Sequence, residues 1–315
     1  MHSIQDSCKR WIANFLSLFT QTKSFRDNPI IGNAVLNRLG LHVLRVILAH
    51  GIFWFRQNIL FFLVDSAERR QLRNQGYLLV SDVLSETQFQ DLQQAFYQAD
   101  IKLHSSRQGN TLTHSRLLTP ELQSQLDNIP SIIDCPAILN RLRYASAMML
   151  SPWFYFLRIE NSHQTEQDPQ KKPHADAFHP TMKAWLFLHD VTLDRGPFCY
   201  YPGSHKLSLK RLRWEYQQSL SARSSNDLYT ARGSFRLAEE DRIQLGLGEE
   251  KVFTVPANTL IIANTFGFHF RGQAPNGAIR DALWASSWRA PFLPLPLPDS
   301  QSLRAFFYKK MQQHL

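Results

Sequence analysis

Six short runs that read as β-strands crowd the second half of this 315-residue chain, at 153–159, 183–188, 198–201, 251–255, 260–263 and 282–288, separated by clusters of turn-forming residues. Many short strands with long insertions predict a jelly roll. An earlier strand at 77–80 runs into an acidic turn and a helix start at Ser85-Glu86-Thr87, so the core domain begins near residue 71. The expected fold class is mainly β with helices: a jelly-roll domain over 71–315 behind an N-terminal helical extension over 1–70.

The extension closes on the most apolar stretch of the protein, "HVLRVILAHGIFWFRQNILFFLV", 42–64. Its length suits a membrane span, but Arg45, Arg56, Gln57 and Asn58 would each cost roughly a few kcal/mol at bilayer depth. Arg45 and Arg56 lie eleven residues apart and fall on one side of a helix. Leu44, Leu48, Trp54, Phe55 and Ile59 spread over the other. Two readings stay open: a helix packed on the domain behind it, or an interfacial helix docked on a membrane surface.

A formal net charge of +9 and a pI near 9.6 suit an acidic partner, whether nucleic acid, an anionic membrane face or an anionic substrate. No run of basic residues interleaved with aromatics marks a stacking platform, so no nucleic acid is expected. Cys8, Cys135 and Cys199 are odd in number and widely spaced, which gives neither a disulfide framework nor a zinc knuckle. The first residues carry no secretory pattern, and the expected location is the cytoplasm, with peripheral membrane association as an option. Two polar insertions, 161–173 and 221–235, read as mobile, the first leading straight into His174. The tail "APFLPLPLPDS" reads as an extended surface strap before a short final helix.

The chemistry centres on "HADAFHPTMKAW", 174–185. In an extended chain residues i and i+2 share a face, so His174 and Asp176 can bind one metal ion. The third ligand is sought in "NTFGFHFRGQAPNGAIRDALWASSW", read as two strands joined through Pro275-Asn276-Gly277. In that hairpin His269 faces Trp284, and His269, Arg271, Gln273, Arg280, Ala282 and Trp284 share one face. A metal held by His269 and a bidentate Arg280 on the order of 10 Å away would grip a small dicarboxylate at both ends. Two His and one carboxylate with open positions is the arrangement of non-haem Fe(II) oxygenases. No GxSxG, GxGxxG or P-loop is present.

"PHADAFHPTMKAW", "DRGPFCYYPGSHKLS" and the H-x10-R relation of His269 to Arg280 resemble the phytanoyl-CoA dioxygenase family of Fe(II)- and 2-oxoglutarate-dependent oxygenases, over roughly 71–290. The resemblance implies a double-stranded β-helix, in agreement with the jelly roll. It also implies that His174, Asp176 and His269 bind iron, that Arg280 holds the far carboxylate of 2-oxoglutarate, and that Trp185 lines the pocket. The Pro202-Gly203-Ser204-His205 turn matches a family turn read as structural.

Among neighbouring residues, Arg271 is read either as meeting an anionic cosubstrate or substrate group or as a solvated strand end, and Lys183, two positions from Trp185, as adding positive charge to the pocket or, more simply, as surface-solvated. His179, His189 and His205 are read as structural or surface residues. The expected activity is hydroxylation of an unactivated C–H bond, using Fe(II), 2-oxoglutarate and O2, on a small substrate for which an acyl or lipid-like class is one option. The carboxylate at Asp176 favours hydroxylation over halogenation, which needs that position free for chloride. The rival reading is a catalytically silent jelly-roll scaffold that docks on membranes through 42–64.

Overall fold

The computed structural model describes residues 2–99, 104–162, 168–300 and 302–306, with side chains from residue 9. Strands β1 (Tyr77–Val80), β2 (His104–Gln108), β3 (Thr111–Leu117), β4 (Trp153–Asn161), β5 (Met182–Phe187), β6 (Phe198–Tyr200), β7 (Lys251–Phe253), β8 (Leu260–Asn264), β9 (His269–Arg271) and β10 (Ile279–Ser286) form two antiparallel sheets. The larger has the order β1-β8-β5-β10-β4-β3-β2 and the smaller β7-β6-β9. Mainly antiparallel strands with flanking helices are the fold class expected.

Alternation along the large sheet builds two cores. Phe154, Phe156, Leu186, Leu283 and Ile262 point outward into a cluster with helical residues such as Phe89, Phe96, Ile132 and Leu142. Leu157, Trp185, Phe187, Ile261 and Ala282 point inward against Phe198, Tyr200 and Phe253 of the small sheet. Burial on both faces explains why "MKAWLF" and "LIIAN" read as nearly continuous apolar runs.

Helices α1 (His2–Leu16), α2 (Ala34–Arg38), α3 (Leu41–Ile59) and α4 (Ser66–Gln75) precede β1. Helices α5 (Glu86–Gln98), α6 (Pro120–Gln125), α7 (Ile129–Ile133) and α8 (Pro136–Ser146) lie between β1 and β4, and α9 (Leu209–Ser221), α10 (Leu228–Ala231) and α11 (Glu239–Leu245) between β6 and β7. Helix α5 starts at the expected place, on a capping box between Ser85 and Gln88. The N-terminal segments share the cores: Phe25 and Ile31 pack with Trp214 and Phe235, Val46 and Ala49 with Phe178 and Phe266, and Leu60 and Val64 with Leu72 and Leu78.

Helix α3 is turned opposite to the usual amphipathic rule. Arg45 and Arg56 are buried, whereas Leu44, Leu48, Trp54, Phe55 and Ile59 are exposed. The arginines are satisfied by main-chain carbonyls. Arg45 donates to Leu18, Thr20 and Thr22 and stacks 4.1 Å from the Phe178 ring centroid; Arg56 donates to Ala290 and Leu293. Burial brings both guanidinium groups down to about 10, still charged at neutral pH. No helix among the described residues is long and apolar enough to cross a membrane.

Two further expectations are corrected. The predicted hairpin of 264–288 does not form: β9 pairs with β6, and both edges of β10 are taken by β4 and β5, so no edge remains for β9. The insertion 221–235 carries a 3-10 turn and α10 and buries Ala222, Ala231 and Phe235, which anchor it to the body. Of the insertion 161–173, residues 163–167 lie outside the described residues, as does the tail from 307. Residues 302–306 are helical.

Candidate metal centre

His174 stands in an isolated extended position, bridged to both Arg236 and His269. The main chains of His174 and His269 exchange two hydrogen bonds of 3.0 Å, Ala175 N donates to Phe235 O, and Asp176 N donates to Thr265 O. The segment that carries the HxD pair is therefore clamped between 235–236 and the start of β9, and the two histidines face each other with ring centroids 4.5 Å apart.

Both imidazoles are oriented the same way. The Nδ1 of His174 lies 2.8 Å from Lys172 O, and that of His269 3.0 Å from Gly267 O. A carbonyl can only accept, so each ring carries its proton on Nδ1 and turns a lone pair on Nε2 into the site. Asp176 Oδ1 lies 3.8 Å from His174 Nε2 and 3.7 Å from His269 Nε2. One ligand atom from each of the three residues falls within 4.8 Å of the others.

This donor set fits a divalent transition metal with open coordination positions. His174 Nε2 is buried without a hydrogen-bond partner, a cost that a metal ion would remove. Burial, then His269, holds His174 well below the ordinary histidine value, and burial also lowers His269, so both rings are neutral and able to ligate. Burial pushes the Asp176 carboxyl up, but the nearby cations, Lys183 first, outweigh it and keep Asp176 ionised, well below the usual range.

Lys183, for which the sequence left pocket charge and surface solvation open, is part of the centre. Its Nζ stands 2.8 Å from Asp176 Oδ2. The contact is an ion pair whose angles miss those of a hydrogen bond, which leaves Oδ2 without a hydrogen-bond partner. Lys23 from the N-terminal region donates to the Asp176 main-chain carbonyl, and burial, offset by Asp176, brings its amine down to about 8. Sequence reasoning missed Lys23; nothing in its neighbourhood marks it.

The centre opens on a cavity of about 290 Å³ lined by His174, Lys183, Trp185, His269, Arg271 and Arg280, among others. Arg280 reaches it from β10, in the sheet opposite His269, so the expected convergence holds although the hairpin does not. Its guanidinium is buried, donates to Gly196 O and has no carboxylate partner among the described residues. Burial, then Arg271, brings it down to about 9. Arg271 also lines the cavity, and its charge is paired at 2.8 Å with Asp168, which is fully buried. The unneutralised cation facing the cavity from this end is Arg280.

Among the described residues, the other histidines stay off the cavity lining. His179 is buried, with Nδ1 on Pro180 O and burial pushing it down to about 3. His189 meets the Tyr97 hydroxyl at 2.7 Å. His205 belongs to the family-like turn, where Ser204 Oγ accepts from Phe268 N and Ser204 O accepts from Arg211.

Two antiparallel sheets enclosing a two-His, one-carboxylate set, with a buried arginine that lacks a carboxylate partner among the described residues, define a mononuclear metalloenzyme of the non-haem oxygenase type. The model of the phytanoyl-CoA dioxygenase (PhyH) family matches residues 72–257, more than half of the chain, and the chain belongs to that family. It is accordingly a non-haem enzyme dependent on Fe(II), 2-oxoglutarate and O2. The matched span contains His174, Asp176, Lys183 and Trp185 and ends before His269 and Arg280.

No curated protein matches the chain. Among solved structures, similarity extends to the non-haem α-ketoglutarate-dependent carbocyclase SnoK from nogalamycin biosynthesis, at 18% identity over 71% of this chain and 83% of that one, TM-score 0.48. HygX from Streptomyces hygroscopicus, with nickel and 2-oxoglutarate bound, gives 14% over 71% and 86%, TM-score 0.43. EctD from S. alaskensis with bound Fe gives 12% over 71% and 76%, TM-score 0.47.

Proposed function

We propose that His174, Asp176 and His269 hold Fe(II), that Arg280 binds the far carboxylate of 2-oxoglutarate, and that the enzyme hydroxylates an unactivated C–H bond of a small acyl or lipid-like substrate. The observation that carries this reading is the common orientation of the two imidazoles, each pinned through Nδ1 to a carbonyl with Nε2 turned toward Asp176 Oδ1. When bound, iron, 2-oxoglutarate and O2 supply an oxidant for C–H bonds, one oxygen atom going to succinate as CO2 leaves and the other to the substrate.

The chain's own part is positional. Arg280 provides a buried bidentate donor, and burial beside Phe187 removes competing water. Lys183 holds the outer oxygen of Asp176 so that the inner one addresses the metal. Trp185 walls the cavity. The carboxylate at 176 favours hydroxylation over halogenation. A silent scaffold gives no reason for three donors and a free arginine to converge on one cavity.

The exposed apolar face within 42–64 supports contact with a membrane surface, and with it the acyl or lipid-like class. In this reading 1–70 is a helical extension serving a double-stranded β-helix oxygenase domain, 71–315. The test is succinate formation from 2-oxoglutarate with Fe(II) and O2 in wild type and Asp176→Ala. Full turnover in the variant would remove the assignment.

A further inference from the structure

The outward face of α3 is a continuous apolar stripe: Leu44, Ile47, Leu48, Trp54, Phe55 and Ile59 are 36–61% exposed, at helical spacing. Phe61 and Phe62 prolong it. The only Lys, Arg, Asp or Glu residues in α3 are Arg45 and Arg56, both turned inward. Cations gather at its ends, with exposed Arg38 before it and Arg70 and Arg73 after it, Arg73 donating to Asn58. Nearby acids are engaged: Asp65 caps α4, and Glu68 pairs with Arg141. An apolar stripe with Trp and Phe between basic ends complements an anionic bilayer interface.

The inward face of the same helix carries the lips of a groove. Arg45 holds the carbonyls of Leu18, Thr20 and Thr22, and Arg56 those of Ala290 and Leu293. Between these segments lies a groove of about 770 Å³ walled by Phe19, Trp153, Tyr155, Ser286, Trp288 and Leu293, a volume ordinary for a small-molecule site. It lies beside the metal cavity on the same sheet face. On β4, Trp153 and Tyr155 line the groove, while Leu157 and Ile159 line the cavity. Tyr155 pairs with Trp284 of the cavity, ring centroids 4.8 Å apart, and Ser286 pairs with Lys183, which holds Asp176. Along β10 the order is Arg280, Ala282, Trp284, Ser286, so the groove lies toward the Lys183–Asp176 end of this face, away from Arg280.

We infer that this groove is the substrate entrance and takes the acyl chain of a lipid drawn from an anionic bilayer on which the α3 stripe rests. The route rests on the metal assignment above. A chain entering there would approach His174, Asp176 and His269 from the end opposite Arg280, and α3 couples docking to the groove through its two inward arginines.

The test uses the full chain, with vesicles of phosphatidylcholine and phosphatidylglycerol in a 7:3 ratio and, as a soluble chain, bromodecanoate, which quenches tryptophan fluorescence on contact. Wild type is expected to float with the mixed vesicles roughly tenfold more than with phosphatidylcholine alone, an excess lost in high salt. Leu48→Glu with Phe55→Glu, both at exposed positions, should abolish flotation yet keep bromodecanoate quenching. Leu293→Arg should still float but need at least tenfold more bromodecanoate. Quenching that is absent in wild type, or unchanged in Leu293→Arg, overturns the entrance. A wild type that ignores vesicles and dimerises through the stripe, with the double variant monomeric, overturns the docking. Neither readout needs iron, so a failed metal assignment appears separately, as no visible Fe(II)–2-oxoglutarate band.

Discussion

Lys183 Nζ stands 2.8 Å from Asp176 Oδ2, while Oδ1 of the same carboxylate faces the two imidazoles. The two oxygens thus have separate duties. Lys183→Met should free the carboxylate to rotate and weaken Fe(II) binding by roughly ten- to a hundredfold, the usual cost of losing a group that orients a ligand. Lys183→Arg should restore part of it. Isothermal titration with Fe(II) measures both, and an unchanged affinity in Lys183→Met would assign the lysine to the cavity wall alone.

Gly267 supplies the carbonyl that orients His269, and an added Cβ would sit 1.9 Å from the Tyr200 hydroxyl. Tyr200 is fully buried and donates to Asn264 O, so it has little room to retreat. Gly267→Ala should cost about 1–3 kcal/mol through overpacking and also weaken the metal site. Gly51→Ala, on the outward face of α3 with nothing within 4 Å of the new Cβ, should stabilise by up to about 1 kcal/mol. Thermal melts of the two variants check the contrast.

Burial pushes His50 down to about 4 and His179 to about 3, so both are neutral in the folded protein near neutral pH. The unfolded chain takes up these protons near the ordinary value of about 6.5. Where the unfolded state binds more protons, stability rises with pH; it is therefore fully present above about 6.5 and lost as pH falls toward 4. At pH 5 the loss is about 2 kcal/mol for each histidine. Urea unfolding at pH 7.5 and pH 5 measures it, and His179→Asn should flatten the difference if the variant folds.

The fold was legible where local chemistry decides: strand runs bounded by turn residues, and the Ser85 capping box. The clustering of His174, Asp176 and His269 was legible because HxD, a distant His and an Arg eleven residues beyond it are scarce in combination. The partner of β9 was not legible, since Asn276-Gly277 favours a turn whatever the strands on either side pair with. Asp168 and the contact of Lys183 with Asp176 were missed for a related reason: these ion pairs, with Arg271 and Asp176, form only when the closed sandwich brings the partners near. The orientation of α3 escaped a helical-wheel argument because that argument assumes arginines seek water, whereas here carbonyls from 18–22 and 290–293 replace it.

Anaerobic titration of the purified protein with Fe(II) and 2-oxoglutarate, in wild type and Arg280→Ala, tests the central claim most directly. A weak visible charge-transfer band that appears in wild type and needs at least tenfold more 2-oxoglutarate in the variant is the predicted result. A wild type with neither band nor Fe(II) affinity would contradict the assignment of His174, Asp176 and His269, and a band equally strong in Arg280→Ala would contradict that of Arg280.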